Sequence, residues 1–573
     1  MNERVVRLRA DLPSVLSGDR LQVIDPHQKF FRTPDGEKSS GYRWHLVDKR
    51  KQMLTIADQF QPYQGLFGCS SQTFADGFYD GTMFRFPLRQ APSALSDTVY
   101  SSAKVEALFE SFAAGAGSLL LFLKQLHSVR LLRRANGAAA PRKVFTVRLA
   151  DECRNDVSQK RQQFTRMIQE KPRESFDVSY LLVIETIRYD VAGAVRQQER
   201  HRWLIHELYA GGVQSRDFRA LCDDTQLGYI PIVGTAMSCE GGESQAAPDC
   251  SAAAATAAGD EKPTGQVFCF LPLAVEQGSS TGLPVHVNGY FAVSQNRHHL
   301  KWPTAGSDFR ADKSLLWNHC LLTEALPRCY ASLIGSAIAY SRREPTELDA
   351  AAVYRALPSL VQVDAKWMLL LEPLFAQLLT TAMFRTLGVP AAWRTLQECV
   401  IDCLKERDDV RASVIHFLLS VGVHVCKPPP HVMYALGAFS EVPLETVEPE
   451  LVRSYLHASD SYTRLSRQHK LSLLLFISKD EAFEQLERLQ LLPVADASFA
   501  RFGALGVNPV YICSESCPRT LFPGLEHRLL ADLDDDVLRA KLIKIANQGI
   551  SAFFFWQLTE LMLNVLLYLS PCT

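Results

Sequence analysis

The pattern of apolar and polar positions divides the chain into three stretches of different period. Up to about residue 135, short strand-like and helix-like runs alternate. Leu21-Gln-Val-Ile-Asp25 predicts a strand closed by a turn at Asp25-Pro26. Gly81-Thr-Met-Phe-Arg-Phe-Pro-Leu-Arg89 alternates apolar and polar side chains, as a half-buried strand does. Val105, Leu108, Phe109 and Phe112 recur at helical spacing behind a cap at Ser96-Asp97. Ala114 to Gly117 breaks that helix, and Leu119 to Leu126 resumes an apolar segment.

The stretch 136–345 reads as strand-rich. Lys143 to Leu149, Ser179 to Glu185 and Arg202 to His206 are bounded runs of strand formers. Inside it, 237–265 is dominated by Gly, Ser, Ala and acidic residues, including Ala252 to Ala255. Such a composition cannot bury a core, so a flexible inserted loop is expected. From 346 to 573 helical periodicity dominates, for example over Trp367 to Phe375 and Val410 to Val421. Lys427-Pro-Pro-Pro430 interrupts it as a hard break. The fold class expected is α+β, with two to four domains, because 573 residues exceed what one core normally serves.

Charge and cysteine usage then remove whole classes of function. A net charge of −1 argues against a nucleic-acid partner, since phosphate recognition needs a basic excess. The cluster Arg130, Arg133, Arg134, Arg142 and Lys143 reads as a solvated face. None of the fourteen cysteines forms a Cys-x-x-Cys pair. Cys399 with Cys403, and Cys513 with Cys517, lack a second pair to complete a zinc site, so buried free thiols in a reducing cytosol are expected. Met1 to Ala10 carries three arginines but no apolar core, and so is not a secretory signal. The apolar tail Phe553 to Ser570 contains Gln557, Thr559, Glu560 and Asn564. A central charge costs about 2.5–3.5 kcal/mol on insertion, so a packed helix is expected there rather than a membrane span.

One stretch carries a family signature. Gly282-Leu-Pro-Val-His-Val-Asn-Gly-Tyr-Phe-Ala-Val-Ser-Gln-Asn-Arg-His-His-Leu-Lys-Trp302 contains no nucleophile–base pair and no metal-ligand spacing. With Phe268 to Leu273 before it, and Trp317-Asn318 and Leu326-Pro327 after it, it closely resembles the repeating region of the sacsin family. Tyr462, Leu465-Ser466, Lys470-Leu471, Leu491-Leu-Pro493, Val510-Tyr511 and Leu521 to Glu526 continue the resemblance in order, so that it covers about residues 11 to 550.

The resemblance implies that 1–135 is part of a heat-shock protein 90-type, or GHKL, nucleotide-binding sandwich. Asp11 to Ser17, Asp25-Pro26-His27 and Gly81-Thr82 match the latter half of that domain. By the same resemblance, Gly81 and Thr82 stand where the adenine ring is met. A plain reading is that Thr82 simply begins a strand. The acidic residue, the magnesium-holding asparagine and the glycine-rich turns of such a site all precede the position matched by Asp11, where this sequence has ten residues without those motifs. One neutral hydrogen bond contributes about 0.5–1.5 kcal/mol, whereas micromolar affinity requires roughly −8 kcal/mol. ATP binding and hydrolysis are therefore not expected, and no metal site is.

The other phosphate-loop and catalytic candidates fail on their own terms. Gly115-Ala-Gly117-Ser118 lacks a third glycine, adjacent His298-His299 point to opposite sides of a strand, and Cys69-Ser70-Ser71 lacks a nucleophile elbow. His27 is explained by its turn. The expectation is a non-enzymatic, chaperone-associated scaffold of the cytoplasm, with chaperones of the heat-shock protein 70 class and protein clients as partners. The alternative is a GHKL-type ATPase module whose nucleotide-binding half is missing from this gene model.

Overall fold

The computed structural model describes residues 12–25, 27–47, 63–92, 96–135, 138, 140–212, 215–239, 265–273, 280–303, 308–440, 443–503, 510 and 524–547. The expected loop beyond residue 239, the apolar tail, Cys513 and Cys517 fall outside them. The chain forms two compact units, Met1–Gln163 with Leu181–Arg202, and Phe164–Tyr180 with Trp203–Thr573.

In the first unit, β1 (Ser14–Gly18) and β2 (Arg20–Ile24) form a tight hairpin, followed by a small ribbon of β3 (Phe31–Arg32) and β4 (Lys38–Ser39). β5 (Gly41–His45), α1 (Ser71–Asp76), β6 (Tyr79–Arg85) and α2 (Ser102–Ala114) come next. The resulting antiparallel sheet has the order β5-β2-β1-β6. Its register sets Leu16 opposite both Leu21 and Met83, and these join Val23, Trp44 and Tyr79 in one buried core. Two sequence expectations shift here. Of the run Gly81 to Arg89 the side chain that enters the core is Met83, while Phe84 in β6 and Phe86 and Leu88 just beyond it stay 61%, 69% and 50% exposed. The cap of α2 is Ser101, whose Oγ accepts from Lys104 N, and not Ser96-Asp97. Arg89 donates to the carbonyls of Ser96 and Thr98, which holds that segment outside the helix.

β7 (Ser128–Arg133), β8 (Arg142–Leu149), α3 (Asp151–Glu170), β9 (Ser175–Tyr189) and β10 (Val195–Ala210) follow. β7 pairs with β8, and β8 with the distal part of β9, all antiparallel. The apolar run 119–126 is irregular. Arg161 of α3, fully buried, donates to the carbonyls of Leu120, Leu121 and Leu123 at 3.0, 2.8 and 2.6 Å. One guanidinium thus supplies partners that a helix would otherwise have provided.

The second unit takes the basal parts of β9 and β10 and adds α4 (Arg216–Cys222), β11 (Ile232–Ser238), β12 (Val267–Cys269), β13 (Leu271–Pro272) and β14 (His286–Gly289). β11 is antiparallel to β10 and β14, β12 is parallel to β14, and β13 turns back on β12. α5 (Lys313–Cys320) and α6 (Leu326–Arg343) are joined by a single π turn, Leu321–Ala325, and α6 packs across β11. Beyond them lie α7 (Ala350–Arg355), α8 (Leu371–Leu378), α9 (Asp408–Ser420), α10 (Pro430–Phe439), α11 (Pro449–Ala458), α12 (Arg467–Ile477) and α13 (Asp536–Asn547).

Val414 and Leu418 of α9, Val452 and Leu456 of α11, Leu473 and Ile477 of α12 and Leu542 of α13 share one core. The run Trp367 to Phe375 is two elements, a 3₁₀ stretch Ala365–Leu370 and then α8. Pro373 explains the division, because its missing N–H is tolerated only in the first turn of a new helix. Likewise the triple proline does more than stop a helix: Pro430 occupies the first position of α10.

Candidate functional site

Gly81 and Thr82 lie on β6, at one edge of the four-stranded sheet, and both are exposed. Gly81 has φ of +146°, which side chains rarely adopt, and a Cβ there would touch the Tyr79 ring at 3.4 Å, so the constraint is the backbone angle rather than space. Thr82 sits opposite Ser17, and the two hydroxyls hydrogen-bond at 2.8 Å. Asp80, the exposed Phe84 of the strand and the exposed Phe86 and Leu88 just beyond it flank this pair, a largely apolar strip with one acid. Asp25 is fully buried and shapes the turn before β3. Burial pushes its carboxyl up, but bonds from the Phe30 and Phe31 amides, at 2.6 and 3.4 Å to Oδ2, together with others from the same turn, hold it below the usual range. Asp25 and His27 are accounted for by that turn.

The remaining candidates separate in space. Cys69 is a buried thiol of the first core, pushed up by burial. Cys399 and Cys426 are buried together, with the Cys426 thiol bond holding Cys399 below the ordinary thiol value, while Cys403 is exposed. His298 and His299 lie in an exposed turn organised by Ser294 and Asn296. Among the described residues no three His, Cys, Asp or Glu side chains gather as metal ligands, and no helix is long and apolar enough to cross a membrane.

The structure does assemble one Asp–His–Ser series that spacing could not reveal. His206 Nε2 lies 3.1 Å from Asp177 Oδ2, and Nδ1 lies 3.4 Å from Ser336 Oγ, 130 positions away. The bond from His206, opposed by burial, holds the Asp177 carboxyl below its ordinary value. Ser336, however, sits inside α6, where backbone N–H groups close helical bonds. The amides of that helix beside it are spent in this way and cannot polarise a carbonyl, so the series serves to bind the β9–β10 hairpin to α6.

The signature stretch is organised chiefly by its own flanks. Thr281 Oγ1 donates to Gly265 O at 3.0 Å and accepts from Leu283 N at 3.0 Å. Gly282 has φ of +67°, and a Cβ there would lie 2.0 Å from the Gln362 carbonyl oxygen, so only glycine permits this crossing of two chains. Asn318 of α5 accepts from Ala292 N at 2.8 Å and donates to Ala292 O and Lys301 O at 2.8 and 2.9 Å. Trp317 Nε1 donates to Tyr290 O at 2.8 Å. The Trp317-Asn318 pair therefore fastens the stretch to α5.

At its end, Lys301 and Trp302 border an open cavity of about 200 Å³, with Phe309, Asn318, His319 and Lys366 among the other residues around it. Trp302 meets Trp367 edge-on at 5.8 Å, and Lys366 Nζ lies 6.0 Å from the Trp302 ring. The ring of Phe309 lies 4.6 Å from that of His319. Burial first, and then the charge of Arg310, hold the His319 imidazole below its ordinary value. The only trace of this cavity in the sequence is the Lys-Trp pair closing the signature.

Residues 6–146 match the family model described as Sacsin domain. Over 542 residues, which is 91% of this chain, the sequence is 32% identical to human sacsin. The chain spans 11% of that protein's length. Trp317-Asn318 and Gly282, picked out by the resemblance, are residues to which the geometry gives definite work. The chain is a sacsin-like protein, and its similarity lies in the repeating region of that family.

Proposed function

We propose that the chain is a non-enzymatic, chaperone-associated scaffold, acting in the cytoplasm in protein folding or quality control through chaperones of the heat-shock protein 70 class and protein clients. The observation that carries this reading is the sacsin-likeness across 91% of the chain. In the same reading, the sheet β5-β2-β1-β6 with α2 is part of a GHKL-type sandwich. The surroundings of Thr82 favour the non-enzymatic form. Its hydroxyl is already engaged by Ser17, and a single bond of about 0.5–1.5 kcal/mol is far from the roughly −8 kcal/mol of micromolar nucleotide affinity.

Two measurements on the whole chain test it. Calorimetric titration with ATP and magnesium is expected to give no binding heat. Light scattering from a thermally unfolding client protein is expected to fall when the chain is present, to the same extent with and without ATP. Micromolar ATP binding with turnover would overturn the non-enzymatic reading in favour of a GHKL ATPase, and undiminished client aggregation would remove the scaffold.

A further inference from the structure

The cavity at Trp302 has a chemistry of its own. Its walls are carbon: Trp302, Phe309, Leu315, Leu322 and Leu369 supply most of them. Two ammonium groups, those of Lys301 and Lys366, stand at it, and among the described residues that line it none is a carboxylate. The acids adjacent in sequence each accept from a backbone amide of their own turn and are not among the described residues that line the cavity. Asp312 accepts from Ser314 N at 2.7 Å, Asp364 from Lys366 N at 3.0 Å and Asp308 from Arg310 N at 2.9 Å. Among the described residues Lys301 Nζ donates to a hydroxyl, Ser314 Oγ at 3.4 Å, and Lys366 is solvent-exposed above the Trp302 ring.

Size limits the occupant. Drug-sized and cofactor pockets enclose roughly 300–1,000 Å³. A cavity of about 200 Å³ is smaller than these, and suits one large apolar side chain. Pro303, Ala365 and Lys366 at its mouth are exposed, so a chain carrying that side chain can run across the surface. Cations at the mouth of an apolar hole complement carboxylates flanking an apolar anchor.

We propose that this cavity is a docking site for an acidic peptide segment of a partner protein, with one aromatic or large aliphatic side chain seated against Trp302 and Phe309 and neighbouring carboxylates on Lys301 and Lys366. The site belongs to the signature stretch and stands apart from the nucleotide question. ATP binding would leave it unaffected, and failure of the peptide to bind would leave the client-holding test to decide the scaffold.

The probe is a rhodamine-labelled acetyl-Asp-Glu-Phe-Glu-Asp peptide, followed by fluorescence anisotropy with the full chain. Saturable binding below about 1 mM is expected, weakening between about 50 and 300 mM salt as the charges are screened. Lys366→Glu is an exposed change that spares the fold, and it is expected to weaken binding at least tenfold. Replacing the peptide's phenylalanine with alanine is expected to do the same without touching the protein. Unchanged affinity in either variant, or no binding at about 1 mM, would overturn the proposal. So would saturable binding of 3-phenylpropionate with none of the peptide, which would assign the cavity to a small carboxylate.

Discussion

His286 presents an accepting nitrogen where water does not reach. Gln266 N donates to its Nδ1 at 3.0 Å, and Trp203 and Phe268 pack on the ring at 4.9 and 5.4 Å. Burial pushes the imidazole down to about 4 from an ordinary 6.5. The sign of the consequence follows from which state takes the proton. Between these two values the unfolded chain is protonated and the folded one is not, so acid favours unfolding. The stabilisation is complete above pH 6.5 and is lost as pH falls towards 4, a loss of up to about 3 kcal/mol. The midpoint of urea unfolding is therefore expected to drop over that window. His286→Gln, which retains an acceptor but cannot charge, flattens the drop. His319 is shifted the same way, so some slope persists in the variant. An equally steep profile after the substitution would show that His286 is not the titrating group.

Between elements, the critical contacts are backbone against backbone. Gly282 lets the chain entering β14 pass the segment before the 3₁₀ stretch Ala365–Leu370. A methyl group there meets not a mobile side chain but Gln362 O at 2.0 Å and Val363 Cα at 2.7 Å. With the positive φ added, Gly282→Ala is expected to cost at least about 3 kcal/mol. Hydrogen exchange should localise the damage, with faster exchange at 281–289 and 362–364 than elsewhere. Uniform exchange and an unchanged denaturation midpoint would refute the crossing.

This case also marks how far the sequence could be read. The strands over 143–149, 179–185 and 202–206 were legible because bounded runs of strand-forming residues are a local signal. So was α9, from its 3.6 period. The reason for Gly282 was not legible, since its partner is eighty residues away and is a carbonyl that any residue would offer. The Asp177–His206–Ser336 series was hidden in the same way, and so were most walls of the Trp302 cavity. Long-range position, not residue type, defines each of these. Resemblance could mark Gly282 and Trp302 without giving their cause.

At the scale of the whole chain, charge and exposed carbon oppose each other. A net charge of −1 on 573 residues gives almost no electrostatic repulsion between copies at neutral pH. The first unit meanwhile leaves two apolar faces in water. One is Phe84 on edge strand β6 with Phe86 and Leu88 just beyond its end, the two rings stacked at 6.1 Å, and the other is Leu108, Phe109 and Phe112 on α2. An edge strand also presents unpaired N–H and C=O groups, so the β6 strip joins backbone template to apolar surface. The purified chain is therefore expected to self-associate near neutral pH, with scattering that grows with concentration. Phe84→Lys with Phe86→Lys adds two charges and removes two exposed rings from the edge. Because both side chains are more than half exposed, stability should change by no more than about 0.5 kcal/mol per site while the scattering falls. Equal self-association at an equal denaturation midpoint would clear the β6 edge and direct attention to the face of α2. A collapse of the midpoint would mean instead that the strip is packed in solution, against the exposure seen here.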